Sequence, residues 1–191
     1  FLIVGGDDYQ EAVTFAERQI QSGARVMLAF RNLTTVGHAR SLLQSRNLDD
    51  VQLSHLDPLR RESVDRSMQL MSDHFGRLDG VILLPQKPNG EYGYSLCTAN
   101  DEDVANFVRD EVVAPVAFAS SFARNMDRLF TDGEPPAIVY VTNPSDRHGN
   151  LMNEIIRASV EALIRGWRHE DETLANAGDL TDRKSSCRER V

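Results

Sequence analysis

The sequence predicts an α/β protein, a doubly wound parallel sheet, on three observations. Apolar strand-like runs and stretches with helical spacing alternate five times along the chain. The connections between them are short. Residues 78–84 (LDGVILL) are apolar on both faces, as a central parallel strand covered by helices must be.

Each element has its own warrant. Residues 1–4 (FLIV) form strand one and end in Gly5-Gly6. The stretch 8–22 places Ala12, Phe15, Ala16 and Ile20 on one helical face, and Gly23 stops it. Residues 24–30 (ARVMLAF) read as strand two. A helix over 33–46 follows, with Val36, Ala39, Leu42 and Leu43 turned inward. Strand three covers 51–56. Asp57 and Pro58 then read as the cap and first residue of a helix that buries Val64, Met68 and Met71 and ends at Gly76. Beyond strand four, 85–100 is a polar loop with Pro and Gly. A long helix is expected over 101–130, burying Val104, Phe107, Val108, Val112, Val116, Ala119 and Phe122, with a kink at Pro115. Residues 137–142 (AIVYVT) form strand five, and a last helix runs over about 150–175.

The 191 residues are 41% hydrophobic and 26% charged, enough for one domain with a core of its own. A net charge of −8 argues against nucleic acid as a partner. No apolar run approaches the roughly 18 residues of a membrane span, so no membrane partner and a cytoplasmic location are expected. Cys97 and Cys187 offer neither a disulfide framework nor metal-ligand spacing. The domain is expected to cover 1–176 and to be incomplete at both ends, because Phe1 already lies inside a strand and the sheet is truncated after the helix following strand five. Residues 177–191 read as a tail, in which 182–191 (DRKSSCRERV) resembles translated sequencing-adapter sequence and stands outside the fold.

The turn after strand one is where a doubly wound sheet holds a pyrophosphate on backbone amides. Here it reads Val4-Gly5-Gly6-Asp7-Asp8-Tyr9-Gln10-Glu11, with carboxylates where further glycines would serve. At about 5 Å and an effective dielectric near 20, each carboxylate repels a phosphate by roughly 3 kcal/mol. A helix terminus returns only about 1 kcal/mol. Repulsion wins unless the aspartates point outward, so Gly5 and Gly6 are expected chiefly to close strand onto helix. Arg31, at the end of strand two, suits the extra phosphate of NADP, and is equally readable as a surface arginine. Asp57 could face an adenine, though capping explains it better.

Strand, Gly-Gly, helix, strand with Arg31, strand with Asp57, a long fourth helix and strand five together resemble the Rossmann-like short-chain dehydrogenase/reductase family over most of 1–175. The family's active site is a Ser after strand five and Tyr-x-x-x-Lys on the next helix. At the matching positions this chain has Thr142 or Asn143 for the serine, Asn153 for the tyrosine and Arg157 for the lysine. An amide has no proton to transfer near neutral pH. The family's Asn-Asn-Ala-Gly is replaced by Leu83-Leu84-Pro85-Gln86, and its helix-four asparagine falls near Glu111. The lysines are Lys87 and Lys184, and no Tyr-x-x-x-Lys occurs anywhere.

Within the family, Thr98–Val113, Ser145–Asn150 and Ile164–Glu172 resemble the degenerate second reductase module in the N-terminal half of bifunctional malonyl-CoA reductases. That resemblance implies no catalytic residue here and no bound cofactor, or NADPH if the nucleotide site is retained. It also implies a partner: a neighbouring NADPH-dependent reductase module of the same polypeptide, or a second copy in a homodimer. The alternatives are an NADP(H)-binding module and a reductase rebuilt around Asn153, Arg157 and Glu111.

Other polar groupings have plainer readings. His169-Glu170-Asp171-Glu172 fan out around a helix and cannot converge on one ion, so no metal is expected. Ser145, Asp146 and His148 read as a polar loop, and Trp167 as core.

Overall fold

A computed structural model describes residues 1–6, 8–84, 99–129, 137–141, 155, 158–159, 161–162 and 165, with the side chains of 127 and 128 excepted. Five strands are described: β1 (Leu2–Gly5), β2 (Met27–Phe30), β3 (Gln52–His55), β4 (Gly80–Leu83) and β5 (Ala137–Tyr140). They form one parallel sheet in the order β3-β2-β1-β4-β5. Val4 lies opposite both Ala29 and Leu83, and Leu83 lies opposite Tyr140. The chain winds outward to β3 and then returns to the other side of β1. The order therefore reverses between β1 and β4, and the carboxyl ends of those strands frame the crevice where such sheets take ligands.

Strand alternation sends successive side chains into two cores. Leu2, Val4, Met27, Ala29, Val81 and Leu83 pack with Val64, Met68 and Met71 of α3 (Arg61–Phe75) and with Phe118 and Phe122 of α5 (Ala114–Leu129). Ile3, Leu28, Phe30 and Ile82 face the other way, onto Ala12, Val13 and Ala16 of α1 (Tyr9–Gln21) and Ala39 and Leu43 of α2 (Leu33–Ser45). The doubly wound α/β architecture is as the sequence predicts. Each fully buried aliphatic side chain contributes roughly 1.5–3 kcal/mol.

The element ends follow their capping residues. Asp8 caps α1, and Asn32 accepts from Thr34 N at 2.9 Å to start α2. Asn100 and Asp103 form a reciprocal capping box on α4 (Asp101–Phe107). Gly76 ends α3 at φ 69°, a left-handed conformation that favours glycine.

Two expectations need correction. The helix after strand three starts at Arg61, not at Asp57-Pro58: the Asp57 carboxylate accepts from Leu59 N at 3.1 Å and closes a separate turn ahead of α3. The long fourth helix is not uniform either. Between α4 and α5 lies a π-helical turn, Val108–Val113. Pro115 has no N–H to donate to the Glu111 carbonyl, and a wide turn just before it relieves that break. The added residue per turn rotates the buried face, so Glu111, Ala114 and Phe118 point inward while Val108 and Val116, expected inside, are 40% and 43% exposed.

Candidate functional site

The amino end of α1 carries a carboxylate of its own. Asp8 Oδ1 accepts from Gln10 N at 2.9 Å and from Glu11 N at 3.0 Å. These are the first-turn amides that a pyrophosphate would need. Burial first, and the Asp8 charge second, raise the Glu11 carboxyl above its ordinary pKa, so negative charge is already disfavoured at this turn. Gly5 answers to packing: a Cβ there would lie 2.8 Å from Phe30 Cδ1 and 3.2 Å from Ala12 Cβ. Gly6 is buried beside it.

At the ends of β2 and β3 a row of charges runs across the sheet edge. Arg31 Nη1 donates to Asp110 Oδ1 at 2.7 Å, and its Nε lies 3.6 Å from Asp57 Oδ1. Arg60 meets the other Asp57 oxygen at 3.5 Å. Arg109 also donates to Asp110, Nε at 3.0 Å to the same Oδ1 and Nη2 at 3.2 Å to Oδ2. Burial works to raise the Asp110 pKa, but hydrogen bonds and charge from Arg109 and Arg31 outweigh it and hold the carboxyl below its ordinary value. His55 Nε2 lies 2.9 Å from the Arg31 carbonyl and fixes the strand end. Three guanidiniums and two carboxylates leave one positive charge in excess.

Between the row and the β1–β4 reversal lies a crevice of about 20 Å³, lined by Val4, Pro58, Leu83, Asp110, Pro115 and Tyr140 among others. That is room for a single water. Beside it Tyr140 donates to the buried Glu111 carboxylate at 3.4 Å. Burial and the Glu111 charge push the Tyr140 phenol far above its ordinary pKa, so it stays protonated.

The structure thus gathers Gly5, Gly6, Arg31 and Asp57 at one edge, with Glu111 next in the chain to the Asp110 that bonds Arg31. It engages Arg31 and Asp57 with each other. Asn153, Arg157, Thr142, Asn143, Lys87, Trp167, the 145–150 loop and the 177–191 tail lie outside the described residues. Among the described residues no cluster of three His, Cys, Asp or Glu side chains could hold a metal, and no helix is long and apolar enough to cross a membrane. Asp110 and Arg109 were not singled out from the sequence. The usable signal was an acid in the third turn of the long fourth helix, opposite in charge to the Arg31 that ends β2.

A dinucleotide makes two demands on this edge: free amides at α1 for its pyrophosphate and, for NADP, a free cation for its ribose phosphate. Asp8 holds two of those amides and Asp110 and Asp57 hold Arg31, so the described residues as arranged do not fit the group unless it displaces those carboxylates.

The sheet order and the helix-flanked layers are those of the Rossmann-like fold that short-chain dehydrogenase/reductases share. Among solved structures, the chain is similar to the N-domain, with NADP, of a bacterial malonyl-CoA reductase: TM-score 0.83 and 26% identity, over 93% of this chain and 33% of that one. It also has the fold of a short-chain dehydrogenase from Mycobacterium smegmatis (TM-score 0.63, 20% identity, 88% and 70% covered). A third is the NADPH-bound short-chain oxidoreductase of Pseudomonas aeruginosa PAO1, described as containing an atypical catalytic center (TM-score 0.65, 18% identity, 88% and 64% covered). The chain spans about a third of the malonyl-CoA reductase N-domain it resembles. No protein-family profile and no curated protein matches the sequence.

Proposed function

We propose that this chain is a short-chain-dehydrogenase-fold module without reductase activity of its own. It supports an adjacent NADPH-dependent reductase module of the same polypeptide, of the malonyl-CoA reductase type, in which malonate semialdehyde is reduced to 3-hydroxypropionate. The observation that carries this reading is Asp8: its carboxylate takes the two α1 amides that a pyrophosphate would use. Asn153 and Arg157 at the positions of the family's tyrosine and lysine support it, because the first cannot relay a proton. The test is a fluorescence titration of the purified chain with NADPH, alongside an assay of semialdehyde-dependent NADPH oxidation. The expected result is no saturable binding below about 1 mM and no turnover. Sustained turnover by this polypeptide alone contradicts the proposal.

A second reading keeps a nucleotide for structure or sensing. It is favoured by the single excess positive charge on the Arg31, Arg60 and Arg109 row. Tight binding of NADPH in preference to NADH, without turnover, would select it.

A further inference from the structure

We propose that Asp110 is a built-in competitor for the Arg31 guanidinium, standing where a ligand's phosphate would sit and closing the β2 end of the sheet edge to NADP. The inference rests on the reading above and gives it a specific residue. Arg31 and Asp110 are 79 positions apart and meet at 2.7 Å only because the fold lays the π-helical turn over the end of β2. Local helix pairing does not explain that contact. The Asp110 side chain is 19% exposed and the Arg31 side chain 33%, so the pair is partly withdrawn from solvent and is screened less than an open surface pair. Arg109 also binds Asp110, and Asp57 lies 3.6 Å from the Arg31 Nε. A phosphate approaching Arg31 must therefore displace one carboxylate and lie near another. Neutralising Asp110 alone takes the row from one excess positive charge to two and leaves the Nη1 donor held only by a neutral amide oxygen, a weaker acceptor than the carboxylate.

The experiment is calorimetric titration of NADP⁺ and of NAD⁺ into the 191-residue chain and its Asp110→Asn variant. The amide keeps the size of the carboxylate and removes its charge. The variant is expected to bind NADP⁺ about tenfold tighter than the parent while NAD⁺ affinity changes by less than about twofold. Adding Arg31→Ala to the variant should abolish the gain. Equal NADP⁺ affinity in parent and variant overturns the inference, as does an equal gain for both nucleotides, since only NADP⁺ carries the additional phosphate. The ratio between variant and parent is the readout, so micromolar NADP⁺ binding by the parent would count against the proposed function without deciding this point. If the Asn variant melts below the assay temperature, Asp57→Asn replaces it, with an expected gain of about threefold. Loss of folding in both variants also overturns the inference, because the carboxylates would then serve the fold and not closure of the edge.

Discussion

Gly5 occupies a position where one extra carbon decides the packing of two elements. A Cβ on Gly5 would meet both the Phe30 ring and the Ala12 methyl, which are buried. A Gly5→Ala chain must push a fully buried ring off its rotamer or part α1 from the sheet, at a cost of about 1–3 kcal/mol. Urea denaturation should show that loss, and Phe30→Leu in the same chain should return part of it by opening the space. An unchanged midpoint in the single variant would refute the packing role and return Gly5 to a ligand-facing one. Asp57 makes a related point about residues. An aspartate followed by proline satisfies the rule for a helix start, yet the same pair also closes a free-standing turn, and Arg60 to Phe75 decide where helical hydrogen bonding begins. Local chemistry named the right side chain there and placed the element three residues early.

Most elements were legible from periodicity because their burial is one-sided. Ala12, Ala16, Ala39, Leu43, Val64, Met68 and Met71 point inward as their spacing requires. The fourth helix was less legible, since a π-helical turn leaves no mark in apolar spacing beyond the proline that follows it. That turn has a consequence for acid stability through Asp110. Its folded pKa lies below the ordinary 3.8, so its stabilising contribution is fully present above that value and is lost as pH falls through the lower folded pKa. Parent and Asp110→Asn chains should therefore differ near neutral pH by about 1 kcal/mol or less, given solvent screening of a half-buried pair. The difference should close as the pH drops below 3.8, which thermal melts across an acid series will reveal. A gap that persists undiminished in acid would mean that the carboxylate charge is not its source.

At the scale of the molecule, a parallel sheet covered by helices followed from alternation, whereas the strand order and the charge row did not, because Arg31 and Asp110 become neighbours only after the sheet is wound. The same winding makes the two cores depend on each other. Leu28 packs towards α1 and α2, and its strand neighbours Met27 and Ala29 pack towards α3 and α5, so β2 cannot be lost from one layer and kept in the other. Leu28→Ala empties a site in the first core and Met68→Ala one in the second, each at a cost of about 2–5 kcal/mol depending on how far the neighbours collapse. Both should lower one shared melting transition, seen as coincident loss of near- and far-ultraviolet circular dichroism. Suppose instead that Met68→Ala split the melt, with α1 and α2 retaining their signal after α3 and α5 had gone. The central strands would then be able to hold a single layer, and the support this module is proposed to give a neighbour would have to come from that layer alone.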